Sequence, residues 1–238
     1  MDSSSNPLEK STIVDPPRRE ALPSLLEKVK EFARCQMAKY DNSHDFNHLL
    51  RVERISLKIA KGENYQGDLE FLRIAVFLHD VGDHKYTGND TDGPKMVRSF
   101  LESINYPEDK IKRVCFIHQE ISFTNELGKS VENDLELNII RDADRLDAMG
   151  VMGIIRAITY GAIKGRPFYL EGTKYRKELD KETYQKETEA CTVHHFHEKL
   201  LRLEGLMRTK IGKEMAQHRH DYMEEFLEEF HQERKGIV

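Results

Sequence analysis

Apolar residues recur along most of this chain at the three- and four-residue intervals that are typical of amphipathic helices. This spacing predicts a first helix over residues 22–40 and a second that stops near Gly62, after polar residues 41–44 that offer N-caps. A third helix, capped by Asp68 and ended by Gly82, is apolar almost all round. Such a helix is expected at the centre of the fold.

Two prolines indicate further helix starts, because proline suits the first position of a helix. They are Pro94 and Pro107, each followed by a helical pattern. Residues 135–141 and 144–160 are predicted as two helical pieces or as one kinked helix, and 183–203 and 210–232 as two long closing helices. No hairpin signal interrupts these segments, so the predicted fold class is all-α, a single-domain helical bundle.

Two segments lack helical periodicity. Residues 1–20 carry three consecutive serines, acidic residues and three prolines without an apolar signal core, which predicts a flexible tail in front of one domain over 21–238. Residues 161–180 contain three glycines and a proline and form the longest irregular stretch. Irregular stretches of this length are often functional.

Charge and cysteine content exclude several classes of protein. A net charge of −5 argues against a protein that grips a nucleic-acid polymer, and no apolar run approaches the about 18 residues needed to span a bilayer. Cys35, Cys115 and Cys191 are far apart, odd in number and set among apolar neighbours, which predicts buried free thiols. We expect a cytoplasmic protein, with nuclear access and the oligomeric state left open.

Histidine and aspartate are concentrated in three segments that adjoin strongly apolar stretches, where a lone charge is costly unless it is paired or bound to metal. His79 and Asp80 end a buried helix and diverge by about 100°, so they can flank one ion. His48 and Asp144 would reach that ion from other helices. Each has a simpler alternative: a hydrogen-bonded His48, an ion pair of His79 with Asp80, and a helix N-cap at Asp144.

The same segments resemble a known family, the HD-domain metal-dependent phosphohydrolases. The stretches that carry the resemblance are HDFNHLLRV, FLHDVGDHKY, RDADRLDAMGVMGI, YGAIKGRPFY and HHFHEKLLRLEGLM, and the resemblance covers residues 25–233. It implies a helical bundle of the HD type and a metal site built from His48, His79, Asp80 and Asp144. Two imidazoles and two carboxylates suit one divalent ion, with Mn²⁺ favoured and Mg²⁺, Co²⁺, Ni²⁺, Fe²⁺ or Zn²⁺ possible.

Three further residues are predicted to act on the substrate. Asp83 lies where related phosphohydrolases carry a carboxylate that orients the attacking water or donates a proton; a salt bridge is the alternative. Arg51 lies three residues after His48 and so on nearly the same helix face, and Lys85 follows in an expected loop beside the metal. Both are predicted phosphate contacts, with a solvated charge as the alternative.

A single ion is expected rather than two. Between Asp80 and Asp144 only His84 and His118 are available as extra ligands, and His84 lies too close to Asp80. This spacing disfavours a dinuclear phosphodiesterase and also an oxidative enzyme with a second iron.

The resemblance implies a small-molecule nucleotide substrate, and within the family's activities it favours hydrolysis of nucleoside triphosphates to monophosphate and pyrophosphate. A nucleoside monophosphate phosphatase with the same metal site is the first alternative. A non-catalytic nucleotide-binding protein is the second. The sequence leaves open the base and sugar, the bond cleaved, the physiological metal and the pathway.

Overall fold

The computed structural model describes residues 23–41, 44–83, 88–89, 91–121, 134–176 and 191–238. Within these ranges all regular structure is helical, which confirms the predicted all-α class. The predicted tail over 1–20 and the first part of the predicted helix 183–203 lie outside the described residues.

The α-helices follow one another along the whole described chain. In chain order they are α1 (Leu25–Met37), α2 (Phe46–Gly62), α3 (Leu69–Leu78), α4 (Asp92–Ser103), α5 (Glu108–Glu120), α6 (Leu135–Asp147), α7 (Gly150–Ile163), α8 (Thr192–Glu198) and α9 (Lys210–Glu233). Two single-turn 3-10 helices, Leu200–Arg202 and Glu204–Leu206, connect α8 to α9. The predicted last helix is therefore confirmed, whereas the predicted helix 183–203 is helical in short pieces where it is described.

Several helices begin at the capping side chains that the sequence indicates. The predicted cap Asp68 accepts the backbone N–H groups of Glu70 and Phe71 at the start of α3. Asp45, rather than any of the residues 41–44, caps α2, and Asp134 caps α6. Each cap satisfies a backbone donor that has no partner inside its helix.

The predicted boundaries next to glycine and proline are shifted. Helix α3 ends at Leu78, four residues before Gly82. Pro94 is the third residue of α4, and Pro107 is the N-cap of α5 rather than its first residue. Boundaries move in this way because several neighbouring residues suit a helix end equally well, and tertiary contacts select among them.

The break predicted between the helical pieces 135–141 and 144–160 also lies at a different position. Helix α6 continues through Asp144 to Asp147, and the chain turns at Ala148–Met149 before α7 begins at Gly150 with a φ of 64°. The expectation that Asp144 starts a helix is therefore wrong. As a result, α6 is six residues longer than the predicted first piece and carries both Asp144 and Asp147.

The buried core is centred on α2, α3 and α6, which pack against one another. In α3 all residues from Phe71 to Leu78 except Arg73 are buried, which confirms the predicted central position of this helix. Cys191 is buried and Cys115 half-buried, but Cys35 is exposed on α1, so the prediction of buried thiols is wrong for that residue.

No single helix in the described ranges is long and apolar enough to cross a membrane. Taken together, helices α6 and α7 reach the length and apolar composition of a membrane span, but the pair is bent by 68° at its junction.

Candidate metal centre

The four predicted ligands meet where α2, α3 and α6 converge. His48 lies in the first turn of α2, His79 is the C-cap of α3 with Asp80 directly after it, and Asp144 lies in the last turn of α6. Both carboxylates lie near the Nε2 atoms of both histidines. The Nε2 atom of His48 is 3.2 Å from Asp80 and 3.4 Å from Asp144, and that of His79 is 3.4 Å and 3.7 Å from the same carboxylates.

His48, His79 and Asp80 form a possible metal site. One ligand atom from each lies within 4.8 Å of the other two. Elsewhere in the described part of the chain, no second group of three histidine, cysteine, aspartate or glutamate side chains is arranged to hold an ion.

The second ring nitrogen of each histidine is held by a hydrogen bond. The Nδ1 atom of His79 lies 2.7 Å from the carbonyl oxygen of Val76, and that of His48 lies 2.7 Å from the carboxylate of Asp147. A carbonyl can only accept, so Nδ1 of His79 carries the proton; an ionised Asp147 requires the same of His48. In the neutral form that binds metal, each imidazole therefore directs an Nε2 lone pair at Asp80 and Asp144.

These two lone pairs are the observation that tests whether a metal fits. Both Nε2 atoms are buried and neither makes a hydrogen bond. These lone pairs and the two carboxylates repel each other unless a proton or a metal cation lies between them. Imidazole nitrogen and carboxylate oxygen are ordinary ligands of a divalent transition metal, so the donor set fits such an ion.

The pKa of His79 also indicates that this site favours a positive charge. Burial lowers the affinity of this imidazole for a proton, but the neighbouring Asp80 and Asp144 outweigh burial and raise its pKa to about 9. Burial likewise opposes ionisation of Asp144, yet the attraction of a protonated His79 lowers the pKa of this carboxyl to about 2. Both shifts favour a pocket that holds a cation.

Asp147 is the residue at this site that the sequence analysis did not identify. Its side chain is 1% exposed and accepts hydrogen bonds from His48, from Nε of Arg51 at 2.7 Å and from Nη1 of Arg156 at 3.0 Å. Although burial opposes ionisation, the hydrogen bonds from His48 and Arg51 and the charge of Arg156 hold the pKa of Asp147 well below its usual range. The spacing of three from Asp144, which places both on one helix face, was the available signal.

Arg51, a predicted phosphate contact, lies beside the metal centre but is bound to Asp147. Its Nε and Nη2 atoms both donate to that carboxylate, at 2.7 Å and 3.0 Å, and its Nη1 atom takes no part in this pair. The solvated charge considered as the alternative is thus excluded. Contact with a phosphate stays a prediction.

The turn after Asp80 is held by the side chains of Tyr40, which follows α1, and of His118 on α5. The hydroxyl of Tyr40 accepts the backbone N–H of Gly82 at 2.7 Å and donates to the carbonyl of Asp80 at 3.4 Å. Gly82 has a φ of 74°, a left-handed conformation that favours glycine. On the other side of the turn, Nε2 of His118 donates to the carbonyl of Val81 at 2.8 Å. His118 therefore supports the turn that presents Asp80.

Asp83 follows this turn. Because α3 ends at Leu78, the helical spacing that would place Asp83 beside Asp80 does not apply. Its backbone N–H donates to the carbonyl of Asp80 at 3.3 Å, and its side chain is partly exposed. Its catalytic role stays a prediction. Lys85 lies outside the described residues, so its predicted phosphate contact also stays a prediction.

Two histidines and two carboxylates at the junction of three helices form a possible site for a divalent metal ion. The model of the HD domain family matches residues 45–149, a range that contains all four predicted ligands. An HD-superfamily hydrolase of known structure from Bacillus thuringiensis is 32% identical and has a TM-score of 0.66; the match covers 88% of this chain and 96% of that one. The chain therefore belongs to the HD superfamily of hydrolases.

Two further solved structures are similar over nearly the whole chain. A protein from Lactobacillus plantarum is 30% identical, with a TM-score of 0.79 and coverage of 89% of this chain and 97% of that one. YpgQ from Bacillus subtilis, solved in complex with ADP, is 26% identical, with a TM-score of 0.66 and coverage of 90% and 100%.

Proposed function

We propose that this protein hydrolyses nucleoside triphosphates to a monophosphate and pyrophosphate, with one divalent ion, Mn²⁺ favoured, held by His48, His79, Asp80 and Asp144. The observation that carries the proposal is the pair of buried Nε2 atoms that face two carboxylates without a hydrogen-bond partner. A divalent ion in this position supplies an acidified water and offsets charge on phosphate oxygens.

The protein's own residues orient the proposed metal ligands and leave one side of the site open to the substrate. Hydrogen bonds at Nδ1 fix both imidazole rings, so neither ring has to reorient during the reaction. The side chain of Asp144 is 33% exposed, whereas those of His48 and His79 are fully buried. Substrate therefore approaches from the side of Asp144. Asp83, at the end of the turn after Asp80, is the proposed carboxylate that orients the attacking water or donates a proton to the leaving group.

The charges around the site favour an anionic substrate. Arg51 and Arg156 lie beside the metal centre, where both donate to Asp147. Arginine binds phosphate groups through charge-assisted hydrogen bonds, so two such side chains next to a divalent ion suit a phosphate group. The complex of YpgQ with ADP supports a nucleotide that carries a phosphoanhydride.

The decisive experiment follows the oxygen atom that water adds. Chelated protein is reconstituted with Mn²⁺ and given a nucleoside triphosphate in ¹⁸O-labelled water, and the products are resolved by mass spectrometry. Attack at the α-phosphorus places the label in the monophosphate and leaves pyrophosphate unlabelled. Label in free phosphate, or turnover of monophosphates alone, would instead establish the phosphatase alternative.

The same preparation tests the ligand set. One Mn²⁺ per chain should restore activity, and His79→Ala should lose both the ion and the hydrolysis while remaining helical by circular dichroism. Saturation at two ions per chain would contradict the mononuclear site.

A further inference from the structure

One face of α7 leads from the metal centre to the protein surface. Arg156, Tyr160 and Lys164 follow one another at intervals of four residues, so they share a helix face. Eight residues span about 12 Å along a helix axis. With Arg166, which follows the end of the helix, these residues form what is here named the α7 strip.

The inner end of the α7 strip adjoins the proposed metal ligands. Arg156 is 13% exposed and donates to Asp147 at 3.0 Å, and the same carboxylate holds His48. The ring of Tyr160 lies edge-on to His44 with the centroids 6.3 Å apart, and the ring of His44 lies 6.3 Å from that of His48. The inner end of the α7 strip is thus linked to the proposed ligand His48 through Asp147 and through His44.

The outer end gathers two cations on one aromatic ring. Nζ of Lys164 lies 5.5 Å and Cζ of Arg166 lies 5.8 Å from the ring centroid of Tyr160. The backbone N–H of Arg166 donates to the carbonyl of Gly161 at 2.8 Å, which folds the chain back over the end of α7. Lys164 is exposed and, within the described residues, has no ion pair with a carboxylate.

We propose that the α7 strip binds the phosphate groups of the substrate that do not react; this inference rests on the proposed function. A polyphosphate carries several negative charges along its length, and arginine and lysine bind such groups through charge-assisted hydrogen bonds. Arg156 lies beside the metal centre, and Lys164 and Arg166 lie together on the ring of Tyr160, one helical turn further along α7. This arrangement fits an extended polyphosphate rather than a single phosphate.

Tyr160 is a positioning residue in this subsite. A cation over an aromatic face is attracted by the ring, so Tyr160 holds Lys164 and Arg166 near each other before the substrate binds. This arrangement reduces the side-chain freedom that binding would otherwise remove.

Equilibrium binding of ADP and AMP to the Mn²⁺-loaded protein tests the subsite directly. ADP has one phosphate more than AMP. Lys164→Gln and Arg166→Gln should therefore each lower the affinity for ADP by about tenfold and leave the affinity for AMP nearly unchanged. Lys112→Gln is the matched control, since Lys112 is an exposed lysine on α5 that pairs with Glu108. It should change neither affinity.

Two substitutions of Tyr160 separate positioning from a general loss of structure. Tyr160→Phe keeps the ring and should keep the ADP affinity within about twofold, whereas Tyr160→Leu should weaken ADP selectively. An equal loss of ADP and AMP affinity in Tyr160→Leu would overturn the positioning role.

The outcomes distinguish this inference from the proposed function. Selective loss of ADP affinity in the Lys164 and Arg166 variants supports the subsite even if no triphosphate is hydrolysed, and inorganic tripolyphosphate should then compete with ADP in the native protein only. If the native protein hydrolyses triphosphates and both variants bind ADP as the native protein does, the subsite is wrong while the proposed function stands. Equal weakening of ADP and AMP would also overturn it.

Discussion

Helix α6 places buried aspartates on two opposite faces. Asp142 and Asp144 are separated by about 200° around the helix axis, whereas Asp144 and Asp147, three residues apart, lie on the same face. The first face is turned toward the start of α9, and the second toward the metal centre. A single helix thus serves both the packing of the fold and the construction of the site.

The two faces differ in the partners that satisfy their carboxylates. Within the described ranges, the donors to Asp142 are neutral groups: the backbone N–H of Arg208 at 3.0 Å, and the N–H and hydroxyl of Thr209, each at 2.7 Å. Burial raises the pKa of Asp142 above its usual value despite these bonds. Asp147 is paired with two arginines as well as His48, and its pKa is lowered.

The comparison separates two uses of a buried carboxylate. Neutral donors attach α9 to α6 without adding charge, which suits a contact whose only task is to hold two helices together. Cationic donors keep Asp147 ionised and therefore able to hold the proton on Nδ1 of His48, which directs the ring toward the metal. Substitutions on the two faces should accordingly affect different properties.

The largest effect is expected for activity when Asp144 is lost. Asp144→Ala removes a proposed metal ligand, so turnover should fall by about a thousandfold or more, which corresponds to about 4 kcal/mol. The melting temperature of the chelated protein at neutral pH should decrease by a few degrees, because the substitution also removes the attraction between Asp144 and His79 that lowers the pKa of the one and raises the pKa of the other. Steady-state hydrolysis, metal content and thermal unfolding are the measurements; undiminished metal binding would contradict the assignment.

The next largest effect is expected for stability when Asp142 is lost. Asp142→Ala leaves buried donors at Arg208 and Thr209 without an acceptor, so the free energy of unfolding should fall by about 3 kcal/mol. Turnover by the folded, metal-loaded fraction should change little. Urea unfolding monitored by circular dichroism measures the first quantity, and an unchanged unfolding midpoint would argue against the structural role.

A glycine provides a second, steric test of the same contact. A Cβ atom at Gly212 would come within 2.4 Å of the Asp142 carboxylate, whereas one at Gly205 would meet nothing within 4 Å. Gly212→Ala should therefore destabilise the protein, and Gly205→Ala is the matched control.

Much of this fold can be predicted because helix starts are local features. The apolar spacing and the cap at Asp68 predict α3 from a few residues, and its central position follows from its uniformly apolar sequence. The boundary between α6 and α7 could not be placed in this way. Asp144 could be a helix cap on the sequence alone, but its carboxylate lies beside His48 at the metal centre, and the helix continues past it.

The candidate site likewise contains residues that the sequence predicts and one that it does not. The four proposed ligands can be named from the sequence, because their order and flanks resemble a family. Asp147 could not, since its importance depends on Arg51, which is 96 residues away in the chain, and on Arg156 beyond the turn into α7. Such a partnership is fixed only when α2, α6 and α7 have packed.

The smallest effect, and the sharpest test of the comparison, is expected for Asp147→Asn. An amide can still accept a hydrogen bond from His48, but it no longer carries the charge that keeps the proton on Nδ1 and balances Arg51 and Arg156. Loss of a group that orients a metal ligand typically costs ten- to a hundredfold in metal affinity, and we expect about that loss for Mn²⁺. Titration of the chelated protein with Mn²⁺ measures it. Asp142→Asn on the opposite face is the control, and it should lower stability while leaving the affinity for Mn²⁺ unchanged. If the two variants lost metal affinity equally, the two faces of α6 would not be functionally distinct, and Asp147 would act only through the stability of the helix.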